Sequence, residues 1–192
     1  MPNSDRHPDI RTYPDARLMQ EIALHNNERA FEVLYDRYSA RMYRYFYRLL
    51  WQNAAKSEDF TQDLFLKIIE KPHLYDHSRN FCTWLYTLAT NMCKNEYRRK
   101  QTLSLQETEV QEQIYHTFLP EKIDQQRLDS ELREAIGQLA EPHRQCFVLR
   151  YQEDCSVAQI AEIMDCPEGT IKSRLHYALK QITEKVGAFY KE

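Results

Sequence analysis

Lys172, Ser173, His176, Tyr177 and Lys180 recur at intervals of one, three and four residues, which puts them along one side of a helix. Ile171, Leu175, Ala178, Leu179 and Ile182 fall on the opposite side. A polar, cationic face on an apolar-backed helix suits base edges and phosphates, because amines and hydroxyls donate to both. Upstream, Ser156 and Gln159 have the spacing of a capping box, so a helix starts there and carries Val157, Ile160, Ala161 and Ile163. It ends around Asp165-Cys166, and Asp tolerates the left-handed backbone of a tight turn better than most residues. Pro167 suits the first position of the next helix, whose φ it presets. Small Ala161 lets the two helices approach closely. Two short helices, a tight turn and a cationic second helix describe a helix-turn-helix. On spacing alone, an ordinary helical hairpin with a solvated face stays open.

Other chemistry finds little support. Cys82, Cys93, Cys146, Cys155 and Cys166 form no C-x-x-C pair, and their odd number suits buried free thiols in a reducing compartment. Cys166 and His176 lack a second ligand pair at zinc spacing. Glu58, Asp59 and Asp63 are the only tight acidic group, and a metal-dependent nuclease would need more. There is no Gly-rich phosphate loop and no nucleophile motif. The expectation is a protein that is not an enzyme, with no cofactor and no metal.

The elements that position these residues read as helices throughout. Only 3 of 192 residues are Gly, too few for a turn-rich sheet protein. Residues 1–14 are polar and Pro-containing, without a signal-like apolar stretch, and read as a disordered arm. A bundle follows over 15–100. Asp15 is expected to cap a helix carrying Leu18 and Ile22. Phe31, Leu34, Tyr35, Tyr38, Met42, Phe46, Leu49 and Leu50 continue at helical spacing. The pattern breaks at 53–56, and Ser57 is expected to cap a helix burying Phe60, Leu64, Phe65 and Ile68 before Lys71-Pro72. After a polar loop, a helix over 81–100 turns Phe81, Trp84, Leu85, Leu88 and Met92 inward. Residues 101–126 are Gln- and Glu-rich and read as a flexible acidic linker. A second helical domain over 127–187 opens with Leu128, Leu132, Ile136 and Leu139 and contains the helix-turn-helix. The fold class is all-α, with two small domains.

Charge constrains the partners. Residues 1–100 carry 16 Lys and Arg against 13 Asp and Glu, residues 101–134 carry 3 against 8, and the whole chain is at −3. A protein holding DNA by itself through phosphates is usually basic, so a partner is expected to supply much of the affinity. No apolar run reaches the ~18–20 residues of a membrane span. A cytoplasmic protein without a membrane partner is expected.

The segment SVAQIAEIMDCPEGTIKSRLHYAL closely resembles the region 4 helix-turn-helix of sigma factors, with Asp165 where that family often has Gly. EDFTQDLFLKIIE resembles region 2.2, and NFCTWLYTLATNMCKNEYRRK resembles regions 2.3 and 2.4. AFEVLYDRY and RMYRYFYRLL fit the bundle helix before them. Region 2, a short linker and region 4, in that order, are the arrangement of the extracytoplasmic-function (ECF) type within the sigma-70 family.

That resemblance implies a transcription initiation subunit that works with core RNA polymerase, through its β′ and β subunits, and with promoter DNA, both duplex and melted. It implies docking on β′ through Glu58, Asp59, Gln62, Asp63 and Leu66. It places minus-ten recognition and melting on Tyr75, Asp76, Ser78, Arg79, Trp84, Thr87, Leu88, Asn91, Lys94, Asn95, Arg98 and Arg99. Asn91 is the best single reader of a base edge, since its amide donates and accepts. Tyr75 either grips a flipped base or packs on the bundle, and Trp84 is either core or DNA wedge. Minus-thirty-five contacts are implied for Ser156, Thr170, Lys172, Ser173, Arg174, His176, Tyr177 and Lys180. An anti-sigma factor or another recruiting protein is open as a further partner. The rival reading is a stand-alone helix-turn-helix transcriptional regulator, which leaves the first half unexplained.

Overall fold

The structure, a computed structural model, describes residues 9–104 and 123–189. Among the described residues there are α-helices and short 3-10 turns and no strand. The helices are α1 (Asp15–His25), α2 (Glu28–Leu49), α3 (Ala54–Glu70), α4 (Phe81–Ser104), α5 (Ile123–Gly137), α6 (Glu141–Tyr151), α7 (Val157–Met164) and α8 (Glu168–Phe189). Packing divides the chain into two units, Met1–Met92 and Cys93–Glu192, so the division falls inside α4. Helix α4 runs unbroken through this division and past residue 100.

In the first unit α2 packs against α1 and α3. Leu34, Met42, Phe46 and Leu49 of α2, Leu18 and Met19 of α1, and Leu64 and Ile68 of α3 are fully buried. Truncating one of these Leu side chains to Ala is expected to cost about 2–5 kcal/mol. Tyr45 and Tyr86 meet edge to face at 5.1 Å. The Tyr45 hydroxyl shares a 2.7 Å hydrogen bond with Thr90 Oγ1, so no polar atom of that pair is stranded in the core.

Several helix starts differ from the sequence expectation. Asp15 is not a cap: Pro14 holds that position, and Asp15 instead accepts from the Arg37 guanidinium and the Tyr38 hydroxyl. Of the expected arm over residues 1–14, residues 9–14 are among the described residues. Ile10–Thr12 makes a 3-10 turn whose carbonyls at Arg11 and Tyr13 accept from Arg37 Nη2. Helix α3 starts before Ser57 because Asn53 Oδ1 accepts from the Lys56 N–H at 2.9 Å. Ser57 sits inside the first turn, buried, with its hydroxyl donating back to the Asn53 carbonyl. The turn between α2 and α3 is made by Trp51 and Gln52, both with positive φ.

In the second unit α8 packs against α5, α6 and α7. Ala135, Ile136, Leu139, Phe147, Ala178 and Ile182 form one buried cluster, with Leu132 and Val186 against it. Arg144, almost fully buried, donates from Nη2 to the Tyr97 hydroxyl at 2.8 Å and from Nη1 to the Gly137 carbonyl at 3.2 Å. Helix α4 continues to Ser104 and α5 begins at Ile123, so both ends of the expected linker are helical. The rest of the linker lies outside the described residues.

Candidate nucleic-acid interface

Asn80 Oδ1 accepts from the Thr83 N–H at 3.1 Å and so fixes the start of α4. From there Thr87, Asn91, Asn95 and Arg98 follow at helical spacing on one side. Asn91, Asn95 and Arg98 are exposed, whereas Thr87 and Leu88 are half-buried. The Thr87 hydroxyl donates to the Thr83 carbonyl at 2.9 Å, which fixes its rotamer. The opposite side of the helix, Leu85, Tyr86, Ala89 and Cys93, is fully buried. Burial also pushes the Cys93 thiol well above its ordinary pKa, so it stays protonated.

The cations at the end of this helix are not equivalent. Arg99 makes a two-pronged bond to Glu96, with Nε to Oε2 at 3.0 Å and Nη2 to Oε1 at 3.1 Å. Glu96 is buried, and the pairing raises the Arg99 pKa further. The expected phosphate role of Arg99 therefore competes with its two-pronged bond to Glu96. Lys94 and Arg98 line a cavity of about 260 Å³ with Glu141, Gln145, Cys166 and Arg174, all in the second unit.

Ahead of α4, the loop 75–80 is tightly built. Tyr75 is only 3 % exposed. Its ring meets Phe81 at 5.6 Å and Trp84 at 5.1 Å, and its hydroxyl donates to the Arg79 carbonyl at 2.7 Å. Burial raises the Tyr75 pKa. Of its two readings, packing on the bundle is the one the structure has. Phe81, Trp84 and His77 surround the ring, and with the hydroxyl bonded to the Arg79 carbonyl Tyr75 braces the loop. Trp84, 8 % exposed, is likewise core. The carboxylate of Asp76 accepts from the Ser78 N–H at 2.9 Å and the Ser78 hydroxyl at 2.7 Å, which lowers its pKa. Asp76, His77, Ser78 and Arg79 are exposed.

On α3 the other expected surface is present as one stripe. Glu58, Asp59, Gln62, Asp63 and Leu66 are all exposed, and Ile69 extends the stripe. Leu66 is 51 % exposed, and Ser57, Thr61, Leu64, Phe65 and Ile68 bury the opposite side. The stripe combines an acidic rim with exposed aliphatics, Leu66 and Ile69.

The helix-turn-helix follows the residues closely. Both arms of the capping box form: the Gln159 N–H donates to Ser156 Oγ at 3.2 Å, and the Ser156 N–H donates to Gln159 Oε1 at 2.8 Å. The Ser156 side chain is thereby engaged in capping. Asp165 is left-handed (φ 53°, ψ 57°) and ends α7. Pro167 stands one position earlier than expected: its carbonyl accepts from Thr170 and Ile171, and α8 proper begins at Glu168. Ile171, Leu175, Ala178 and Ile182 are buried as expected. Leu179 is 40 % exposed and lies at the edge of that face, so it is not part of the buried set.

Lys172, Ser173, His176, Tyr177 and Lys180 are exposed. Lys172 lies 3.7 Å from Glu168 and Lys180 lies 3.9 Å from Glu184, solvated pairs of little strength. Tyr177 leans toward α6, its ring stacked on His143 at 6.1 Å, and His176 meets Tyr177 at 5.9 Å. Thr170 is half-buried, and Arg174, also half-buried, donates to Cys166 Sγ at 3.6 Å. Burial pushes the neighbouring Cys146 thiol up to about 11, against the pull of Arg174. Among the described residues no group of His, Cys, Asp and Glu is placed to hold a metal ion, and no helix is long and apolar enough to cross a membrane.

Comparison with known proteins agrees with this geometry. The model for sigma-70 region 2 matches residues 34–102, and the model for sigma-70 region 4 matches residues 129–182. The chain is 30% identical over 157 residues to the ECF RNA polymerase sigma factor SigW of Bacillus subtilis, covering 77% of this chain and 83% of that one. It is 32% identical over 151 residues to the ECF sigma factor SigL of Mycobacterium tuberculosis, covering 78% and 85%. The fold matches that of the sigma factor RpoE solved in complex with the anti-sigma factor NepR from Bartonella quintana, with a TM-score of 0.67, 21% identity and coverage of 82% and 96%. It also matches CnrH, solved in complex with the cytosolic domain of CnrY, with a TM-score of 0.67, 19% identity and coverage of 91% and 97%. With both region models matched in order and relatives of this similarity along most of its length, the chain belongs to the ECF sigma factors of the sigma-70 family, the non-enzymatic subunits that join core RNA polymerase and direct promoter-specific initiation.

Proposed function

We propose that three separate surfaces divide this work. The exposed α3 stripe of Glu58, Asp59, Gln62, Asp63 and Leu66 docks a basic helical segment of the β′ subunit, and the second unit adds contacts to β. The loop 75–80 and the α4 side carrying Thr87, Leu88, Asn91, Lys94, Asn95 and Arg98 take the minus-ten element, first as duplex and then as a melted strand. The outer face of α8, with Thr170 and Arg174 at its flanks, reads the minus-thirty-five element. The observation carrying this reading is the pair of amides on α4: Asn91 and Asn95 are exposed side by side on a helix whose other side is core. One solved neighbour, RpoE, was co-crystallised with the anti-sigma factor NepR, which supports an anti-sigma factor as a regulator of this chain too. The protein would act in the cytoplasm, beside the polymerase.

The test is reconstitution with purified core polymerase on a promoter from the protein's own host. Wild-type protein is expected to bind core and start transcripts at a defined position. Charge reversal of both Asp59 and Asp63 to Lys should weaken core binding while helicity, read by circular dichroism, is unchanged. Core binding equal to wild type would remove the α3 stripe as the docking surface.

A further inference from the structure

Tyr177 stands on the outer side of α8 and leans onto α6. It is 53 % exposed, yet its ring is stacked on His143, with centroids 6.1 Å apart and planes 27° from parallel. His143 belongs to the first turn of α6, behind Pro142, and is half-buried. Its N–H donates to the Ala140 carbonyl at 2.9 Å, and its Nδ1 is buried without a hydrogen bond among the described residues. The imidazole is therefore placed by packing, on a backbone fixed by the start of α6. Tyr177 also meets the His176 ring at 5.9 Å and 71°. Leu175 and Ala178, on either side of this pair in sequence, are buried and hold α8 in this rotation.

An exposed tyrosine on a helix ordinarily samples several rotamers, and fixing it on binding costs part of what the contact returns. Contact with His143 fixes the Tyr177 ring beforehand. Lys172, Ser173 and Lys180 offer amines and a hydroxyl, His176 offers ring nitrogens, and Tyr177 adds a carbon surface. In the major groove a carbon surface suits the C5 methyl group, which only thymine among the four bases carries. We infer that His143 is a positioning residue for specificity: from α6 it holds the Tyr177 ring beside His176 as an apolar wall, and that wall takes the methyl group of one thymine in the minus-thirty-five element. The inference rests on the minus-thirty-five reading of α8 given above.

The experiment compares holoenzymes carrying His143→Ala, His143→Phe, Tyr177→Ala, Tyr177→Phe, the double variant His143→Ala/Tyr177→Ala and, as a reference, Lys172→Ala. Deoxyuridine replaces each thymine of the minus-thirty-five element in turn, on either strand, which removes one methyl group and nothing else. The readout is the ratio of transcription from the thymine and deoxyuridine templates. Both templates are read by the same holoenzyme, so a variant that is merely less stable leaves the ratio unchanged. Wild type should lose about fourfold at one position, the size of one buried methyl group. Tyr177→Ala should abolish that loss, and His143→Ala should shrink it to less than about twofold. His143→Phe and Tyr177→Phe should keep it, because each preserves a ring. His143→Ala should change nothing further when Tyr177 is already Ala, as expected of a residue that acts through another. A methyl effect as large in His143→Ala as in wild type would overturn the role of His143. Loss of the effect in Tyr177→Phe would assign the contact to the phenol hydroxyl and overturn the apolar wall. If wild type shows no methyl effect while Lys172→Ala alters base preference, the inference fails and the reading of α8 stands. If Lys172→Ala also leaves base preference unchanged, the reading of α8 fails with it.

Discussion

Arg37 and Asp15 form a 2.5 Å ion pair, and the other terminal nitrogen of Arg37 donates to the carbonyls of Arg11 and Tyr13. Tyr38, the next residue on α2, donates its hydroxyl to the second oxygen of Asp15. One guanidinium and one phenol thus tie the chain ahead of α1 to the middle of α2. Burial and the adjacent carboxylate both raise the Tyr38 pKa, so the hydroxyl remains a donor across the working pH range. The side chains are about one quarter to one third exposed, which limits the energy of the pair. Asp15→Ala is expected to destabilise the protein by about 1–2 kcal/mol, and Tyr38→Phe by about 1 kcal/mol. Urea unfolding checks both, and values near zero would mean that solvent screening cancels the clamp.

Arg98 and Arg99 are neighbours with different commitments. Arg99 is locked to buried Glu96, and Arg98 is exposed. Arg98→Ala is expected to weaken promoter binding by holoenzyme and to reduce its salt dependence, as loss of a phosphate contact does. Arg99→Ala should leave the salt slope unchanged and lower stability slightly, because the two-pronged bond to Glu96 is lost. Salt titration of promoter binding and thermal unfolding separate the two. An equal change in slope for both variants would show that Arg99 leaves Glu96 for DNA.

What the residues alone disclosed was mostly local. The helix-turn-helix was legible because its signals lie within a few positions of one another: a Ser and a Gln three apart, an Asp able to turn left-handed, a Pro after it. The buried and exposed sides of α8 followed from helical spacing, with Leu179 misplaced because it sits at the boundary of the apolar arc. Pairings distant in sequence were not legible. Asp15 read as a cap because its partner Arg37 is 22 residues away. Tyr75 is buried by Trp84 and Phe81, and nothing in the loop's own sequence distinguishes a braced tyrosine from an open one. Ser57 looked like a cap, but Asn53, four residues earlier, satisfied the same need first.

Asn91 is exposed on a rigid helix, so its amide can meet a base edge without rearrangement. Asn91→Ala should impair open-complex formation at the minus-ten element more than initial docking, at about 1–3 kcal/mol for the lost base contact. A pre-melted template should recover the part of the defect that belongs to strand opening. Permanganate reactivity of unpaired thymines measures opening, and wild-type reactivity on a duplex promoter would dismiss Asn91 as a reader.

The outer face of α8 should separate sequence reading from phosphate clamping. Lys172, Ser173 and His176 stand near the helix start, fully outside the buried set of Ile171, Leu175 and Ala178, and the start of a recognition helix is the part that enters the major groove. The exposed pair between Lys172 and Glu168 is worth under about 1 kcal/mol, so the amine swings to a guanine or a phosphate at little cost. Arg174 is half-buried beside Cys166, off the reading face, and fits a phosphate contact at its edge. Arg174→Ala should lower transcription from all promoter variants by a similar factor. Lys172→Ala or His176→Ala should relax or change preference at particular base pairs, at about 1–3 kcal/mol for each well-made contact. Tyr177, stacked on His143, should have a smaller effect on preference than His176, because its ring leans toward α6. A promoter library with every minus-thirty-five base substituted, transcribed by each mutant holoenzyme, measures all of these together. A preference profile unchanged in both Lys172→Ala and His176→Ala would show that this face of α8 does not read sequence.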